Sequence, residues 1–457
     1  MRTSEDRRAL GKSRRTDCPR SAHSDVILGQ GDRDLIALIE GSNADRMEHL
    51  LPVRFGRMSE SPFAFFRGTA NVQAHDLKGT PSPNIIVQCC GDCHLMNFGG
   101  FATPERTLVF DINDFDETFP APFEWDVKRL ATSFVLAGRW LSFTPGQCRS
   151  AAEVAAEAYR AHVNRFASMR ALEVWYSRVT VESLQQQIEN DEEFSRRLKK
   201  AIGKAEQNTS EKVFHKFTHQ VDGKTRIIDQ PPLLFHVDPS IIDYETHLKP
   251  FFAAYRDSLP EDRRSLYDRF EFIDFACKVA GVGSVGTRCL ITLFMADDED
   301  PLFLQVKQAR ASVLEGLAVP PRWSNNGERV VVGQRLMQSA SDIFLGWSLG
   351  PNGRDYYFRQ LRDMKLTATL TGFTPGLLNQ YAKLCGRTIA RAHSKAGAAA
   401  EIAGYVGTGS TFDKAIADYA VAYADQVETD FRTFQSAVRS GRLPVDTQFG
   451  DLEMALR

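Results

Sequence analysis

The segment VQCCGDCHLMNFGGF, residues 87–101, carries side chains for two different chemistries. Cys90, Cys93 and His94 spell C-x-x-C-H, the spacing at which a c-type haem is attached, while Asp92 and Asn97 spell D-x-x-x-x-N, the spacing of a kinase catalytic loop. Haem attachment of that kind belongs to oxidising, exported compartments. The eight cysteines (Cys18, Cys89, Cys90, Cys93, Cys148, Cys277, Cys289 and Cys385) are sparse and lie mostly in apolar runs, the pattern of reduced thiols in a cytoplasmic protein. The N-terminal stretch MRTSEDRRALGKSRRTDCPR is basic and lacks the apolar segment of an export signal, so residues 1–30 are expected to form a flexible tail. These features favour the phosphoryl-transfer reading of the loop.

Phosphoryl transfer asks a protein for a carboxylate beside the acceptor hydroxyl, oxygen ligands for magnesium, and cationic or backbone donors on the phosphates. Asp92 is the candidate base and Asn97 a candidate metal ligand. The apolar run TLVF delivers Asp111 at a strand end, which ranks it first as the second metal ligand, with Asp114 as its rival and Asp116 close behind. GVGSVG contributes Gly281, Gly283, Ser284 and Gly286, a G-x-G-x-x-G turn whose backbone can approach phosphates closely. TRCLITLF then continues as a strand, where a dinucleotide fold would need a helix, so a kinase-type hairpin is expected. Lys307, on the third strand of the same sheet, is the candidate phosphate contact. Among apolar strand residues it needs a carboxylate partner, for which Glu315 and Glu328 are the candidates.

The surrounding sequence supplies elements to hold these groups. FEWDVKRLATSFVLAGRWLS and RSAAEVAAEAYRAHVNRFASM have the composition and period of packed helices. Residues 180–230 are polar and mixed in charge, as in a surface insertion. From about residue 270 the pattern changes to three strands, then a helical period at 327–345, a strand at DYYFRQL, and helices from 375 onward. With 43% apolar and 25% charged residues, a formal charge of −2 and no apolar run long enough for a membrane helix, no nucleic acid or membrane partner is expected.

Several stretches, CGDCHLMNFGGF, LVFDINDFDETFPAPFEWDVKRLA, FFRGTA, AGVGSVGTRCL, LFLQVKQA, GQRLMQSASDIFLGW and YFRQLRDMK, resemble the bacterial domain of unknown function 2252 family. The catalytic segment is also similar to that of aminoglycoside phosphotransferases, H-G-D-x-H-x-x-N followed by a strand-borne Asp and D-L-A. Asp92, His94, Asn97, Asp111 and Asp126 match that pattern, and Cys90 replaces its first His. The order is reversed from ordinary kinases, with the catalytic loop ahead of the Gly turn, and CGRTIARAHSKAG, which resembles the helix before that loop, comes last. The resemblance therefore implies an α+β, two-lobed protein-kinase-like fold in circularly permuted order. Its parts would be the tail, a helical lobe at 31–265 with the catalytic and metal loops, a β-rich nucleotide lobe at 270–365, and C-terminal helices at 366–457. The implied activity is ATP- and Mg2+-dependent phosphotransfer to an unidentified small-molecule or protein acceptor. Its alternatives are AMP transfer and a catalytically silent nucleotide-binding module.

Overall fold

The alternation of side chains along β10 (Pro301–Gln308) decides how the largest sheet is used. Leu302, Leu304 and Val306 enter an aromatic core with Phe251, Phe252, Tyr255 and Phe358, whereas Gln305 and Lys307 turn to the opposite face and line a cavity. In the computed structural model, which describes residues 3–28, 33–187, 195–197, 199–200, 202–203, 210–231, 233–236, 243–279, 283–298, 300–361 and 366–446, β10 is central to an antiparallel sheet. Its order is β11-β12-β10-β9-β8-β7, with β7 at Leu234–Phe235, β8 at Glu271–Lys278, β9 at Cys289–Met295, β11 at Gly346–Leu349 and β12 at Asp355–Gln360. The Gly-containing turn joins β8 to β9, and the Asn326–Met337 helix follows β10.

Smaller sheets carry the acidic loops. β1 (Ile86–Cys89) pairs with β4 (Phe119–Pro122), while β2 (Phe98–Ala102) pairs with β3 (Leu108–Ile112), and β5 (Thr218–Val221) forms a separate hairpin with β6 (Lys224–Ile227). The 90–97 loop joins β1 to β2, and the acidic turn joins β3 to β4. The chain then enters the Phe123–Trp140 helix, buried nearly all round, which packs with the Pro145–Phe166, Pro375–Lys395 and Thr411–Arg439 helices over the main core. Close approach needs small residues: a Cβ added at Gly386 would lie 2.2 Å from the Ala155 carbonyl oxygen of the neighbouring helix. The architecture is mixed α/β with several small sheets. Among the described residues no helix is long and apolar enough to cross a membrane.

The expected flexible tail is instead an ordered element. Thr3 and Asp6 form a capping box that starts the Ser4–Ser13 helix, which packs against the Ala399–Val406 helix. Gly11 and Gly404 let the backbones meet, and the basic residues that suggested a solvated tail cap the partner helix: Arg15 donates to the Tyr405 and Gly404 carbonyls, Arg20 to that of Val406. A methyl group at Gly404 would stand 2.1 Å from the Arg8 carbonyl oxygen. Gly404→Ala should therefore cost about 1–3 kcal/mol and expose the N-terminal helix to limited proteolysis. An unchanged unfolding midpoint and cleavage pattern would contradict this docking.

Candidate functional site

One face of the 123–140 helix builds the 90–97 loop. Asp126 accepts hydrogen bonds from the Cys90 and Gly91 backbone N–H groups at 2.8 and 3.0 Å, Arg129 Nε donates to Asp92 Oδ1 at 2.6 Å, and Ser133 Oγ accepts from Leu95 N at 3.0 Å. Residues spaced i, i+3 and i+7 share a helix face, so one rigid element fixes the loop at three points. Asp126 matches the phosphotransferase-like pattern of the sequence, whereas Arg129 and Ser133 stand outside it. Their signal was polar residues at helical spacing within an otherwise apolar, buried helix. Gly91 has φ +84°, and a Cβ there would sit 2.1 Å from the Glu117 carbonyl oxygen, which presses the loop against the acidic turn.

Asp92 is one of the groups this places at a cavity. Burial pushes its carboxyl up while Arg129 pulls it down, and the balance is upward. Its Oδ2 has His94 Nε2 at 3.7 Å. His94 is itself buried, and burial, then the charges of Arg67 and Arg129, push its imidazole well below the usual range, toward the neutral form. Asn97 donates its amide N–H to the Asp92 backbone oxygen at 2.7 Å, which leaves its carbonyl oxygen as the group available to a metal or ligand.

The acidic turn meets the sheet through Lys307. Its ammonium lies 2.5 Å from Asp116 Oδ2 and 3.8 Å from Asp114 Oδ1, and Tyr357 donates to Asp116 Oδ1 at 2.5 Å. Burial lowers the proton affinity of Lys307, but Asp114 and Asp116 outweigh it and hold the ammonium charged. The partner of Lys307 is thus Asp116, and neither Glu315 nor Glu328 fills that role. Glu315 follows the 310–313 segment, which Glu117 holds by accepting from Val313 N and Ser312 Oγ. Arg329, on the 326–337 helix, ties that segment to the acidic turn by donating to the Arg310 carbonyl on one side and to those of Asp116 and Thr118 on the other.

Asp111 departs from its expected role as a metal ligand. It is 0% exposed, and its two oxygens accept from Arg391 Nη2 at 2.7 and 2.9 Å, from Ile112 N at 2.9 Å and from Ser339 N at 2.7 Å. Both faces of its strand are covered, and there it is the counter-charge for Arg391, itself 1% exposed. Asp114 lies beside Lys307 and lines the cleft.

Two cavities, each about 560 Å³, meet at Asp114 and Ser284. One is lined by Lys307, Gln305, Arg359 and Asn113 together with apolar Leu233, Leu234, Val279, Phe344 and Leu361. The other holds Asp92, Asn97, Asp114, Asp116 and Glu117, with Gly283, Ser284 and Thr287 of the β8–β9 turn on the opposite side. Gly286 has φ +87° and accepts from Met47 N at 2.8 Å; Gly281 lies outside the described residues.

The C-x-x-C-H match has a different explanation. Cys90 and Cys93 are at most 1% exposed and belong to the main core, which leaves no accessible thiols for haem attachment. Ligand atoms of Cys89, Asp126 and His393, and of Cys90, Cys93 and Asp126, lie within 4.8 Å of one another and could hold a metal ion by proximity. Asp126 already accepts two backbone N–H groups and contacts His393 Nε2 at 3.2 Å, while burial raises all three thiols toward the protonated state. Those hydrogen bonds make the cluster an anchor for the loop.

The model of the family described as "uncharacterized protein conserved in bacteria (DUF2252)" matches residues 46–437. The chain belongs to this family. The matched span contains Arg46, Asp92, Lys307 and Arg391, while the cavity-lining residues from Asp34 to Ser42 precede it. No curated protein and no solved structure matches the chain.

The two aspartates should separate in a stability measurement. Asp111→Ala leaves Arg391 buried without its counter-charge and should cost about 3–5 kcal/mol, read as a lower unfolding midpoint. Asp114→Ala removes the farther of the two carboxylates facing Lys307 and leaves Asp116 in place, so it should cost no more than about 1 kcal/mol. Equal losses would contradict this division of roles.

Proposed function

We propose that the protein is an Mg2+-dependent phosphotransferase that moves the terminal phosphoryl group of ATP to a hydroxyl of a small acceptor. The observation that carries the reading is the ion pair of Lys307 with Asp116, 191 residues apart in sequence, beside the cavity that Asp92, Asn97, Asp114 and the β8–β9 turn line together. Phosphoryl transfer needs that inventory. The local order also supports it: a hairpin with a Gly turn, a lysine on the next strand and then a helix are the nucleotide-binding parts of kinases. On this reading the fold is kinase-like and two-lobed, in permuted order.

The residues divide the work by chemistry. The cavity with apolar walls takes the flat base of the nucleotide, and Lys307 reaches its phosphates, which compete with Asp116 for the ammonium. Gly283 and Gly286 allow the turn to approach, and Ser284 stands at the junction of the two cavities. Asn97 and Asp114 offer the hard oxygen ligands that Mg2+ prefers, and the ion, when bound, supplies neutralisation of phosphate charge. Asp92 orients the acceptor hydroxyl and takes up its proton, held in place by Arg129.

The reading predicts ADP release from Mg2+ and ATP in the presence of a bacterial small-molecule extract. Asp92→Asn should slow that release by about 10²–10⁴-fold while nucleotide affinity stays near wild type, and it should lower the unfolding midpoint because Arg129 loses its counter-charge. ADP release that is indifferent to Asp92 would contradict the assignment, and release of pyrophosphate with AMP on the acceptor would replace it with nucleotidyl transfer.

A further inference from the structure

On the wall of the Asp92 cavity, three arginines turn their guanidinium groups to one residue. Arg46 Nε and Arg310 Nη1 each donate to the Ser42 carbonyl at 3.1 Å, and Arg54 Nη2 lies 3.4 Å from Ser42 Oγ. Their other contacts are also to uncharged oxygens: Arg46 Nη1 donates to Val285 O at 2.5 Å and Arg54 Nη2 to Gly68 O at 2.8 Å. Among the described residues none of the three has a carboxylate partner. Arg54 is 1% exposed, and its Nε and Nη1 have no hydrogen-bond partner.

That arrangement is unfavourable without an anion. A buried guanidinium with two unmet donors loses its hydration uncompensated, and neighbouring cations add repulsion. Burial, and then the charges of the adjacent arginines, push Arg46 down to about 8 and Arg54 to about 10. Glu117 and Asp116 offset part of this on Arg46, but the nearby carboxylates make their direct contacts elsewhere: Asp92 to Arg129, Asp116 to Lys307 and Tyr357, and Glu117 to Val313 N. Three cations call for more charge than one carboxylate brings, and guanidinium forks match phosphate oxygens.

We propose that Arg46, Arg54 and Arg310 bind a dianionic phosphate group carried by the acceptor, so that the substrate class is a small phosphorylated alcohol. What the bound molecule undergoes rests on the phosphotransferase reading; the anion site rests on the arginines alone. The acceptor phosphate sits on this wall and its hydroxyl reaches Asp92 across a cavity of about 560 Å³, a volume suited to a small metabolite. In the step, the hydroxyl proton passes to Asp92, the acceptor oxygen bonds to the γ-phosphorus of ATP, and the bond from that phosphorus to the β,γ-bridging oxygen breaks. The electron pair leaves on ADP, and the product carries two phosphate groups.

The test is calorimetric titration of the full chain with inorganic phosphate and, separately, with citrate, in wild type, Arg54→Met, Arg310→Gln and, as a control, the exposed Lys249→Met. Arg310 is less buried than Arg54, so its variant keeps the test intact if Arg54→Met fails to fold. Phosphate should bind the wild type, weaken about tenfold or more in each arginine variant, and be unchanged in Lys249→Met. Absence of phosphate binding, indifference to the arginine variants, an equal loss in Lys249→Met, or citrate binding more tightly than phosphate would each overturn the proposal. Arginine-dependent phosphate binding in a protein that ignores Mg2+ and ATP would uphold the anion site and remove the phosphotransferase reading.

Discussion

A lysine on the buried face of a sheet needs an anion, because leaving an ammonium unpaired away from water costs several kcal/mol or forces it to lose its proton. Lys307 meets that constraint with Asp116, and the consequence reaches well beyond the pair. The acidic turn between β3 and β4 is drawn to the inner face of β10, and Arg329 holds the same turn from the 326–337 helix through two of its carbonyl groups. The turn is thus clamped to the sheet from two elements. Asp126, Arg129 and Ser133 fix the 90–97 loop on the other side, so the cleft is bordered by backbone that rigid elements position.

Much of this was legible in the sequence, for identifiable reasons. The strands at β8, β9 and β10 and the long helices announce themselves by apolar period, and Asp92, Asn97, Gly283 and Lys307 stand at spacings that chemistry constrains. What was not legible depends on contacts between distant residues. Asp111 and Asp114 both follow the same apolar run, and only the tertiary fold decides that the first meets Arg391, 280 residues away, while the second reaches the cleft. The carboxylate for Lys307 was sought downstream on its own side of the chain because sequence gives no sign that Asp116 crosses to it. The basic N-terminus read as solvated charge, yet its arginines are caps for the Ala399–Val406 helix.

The arginine wall shows a different relation between stability and ligand binding. Asp111 with Arg391 and Asp92 with Arg129 are compensated pairs, which hold the fold and orient the loop. Arg46, Arg54 and Arg310 converge on Ser42 with no carboxylate in direct contact and only partial, longer-range compensation of Arg46 from Glu117 and Asp116, and the cost of gathering them is one that a bound phosphate would offset. They stand beside Asp92 and away from the apolar-walled cavity; on the proposed reading this would separate a nucleotide side from an acceptor side across Asp114 and Ser284.

The central claim, that Lys307 and the acidic turn form a site for a nucleotide and its metal ion, is tested most directly by titrating ATP calorimetrically with and without Mg2+. Wild type should bind saturably and only with the metal present, and both Lys307→Met and Asp114→Ala should bind about tenfold more weakly or worse. No binding to the wild type, or affinities in both variants equal to it, would contradict the account.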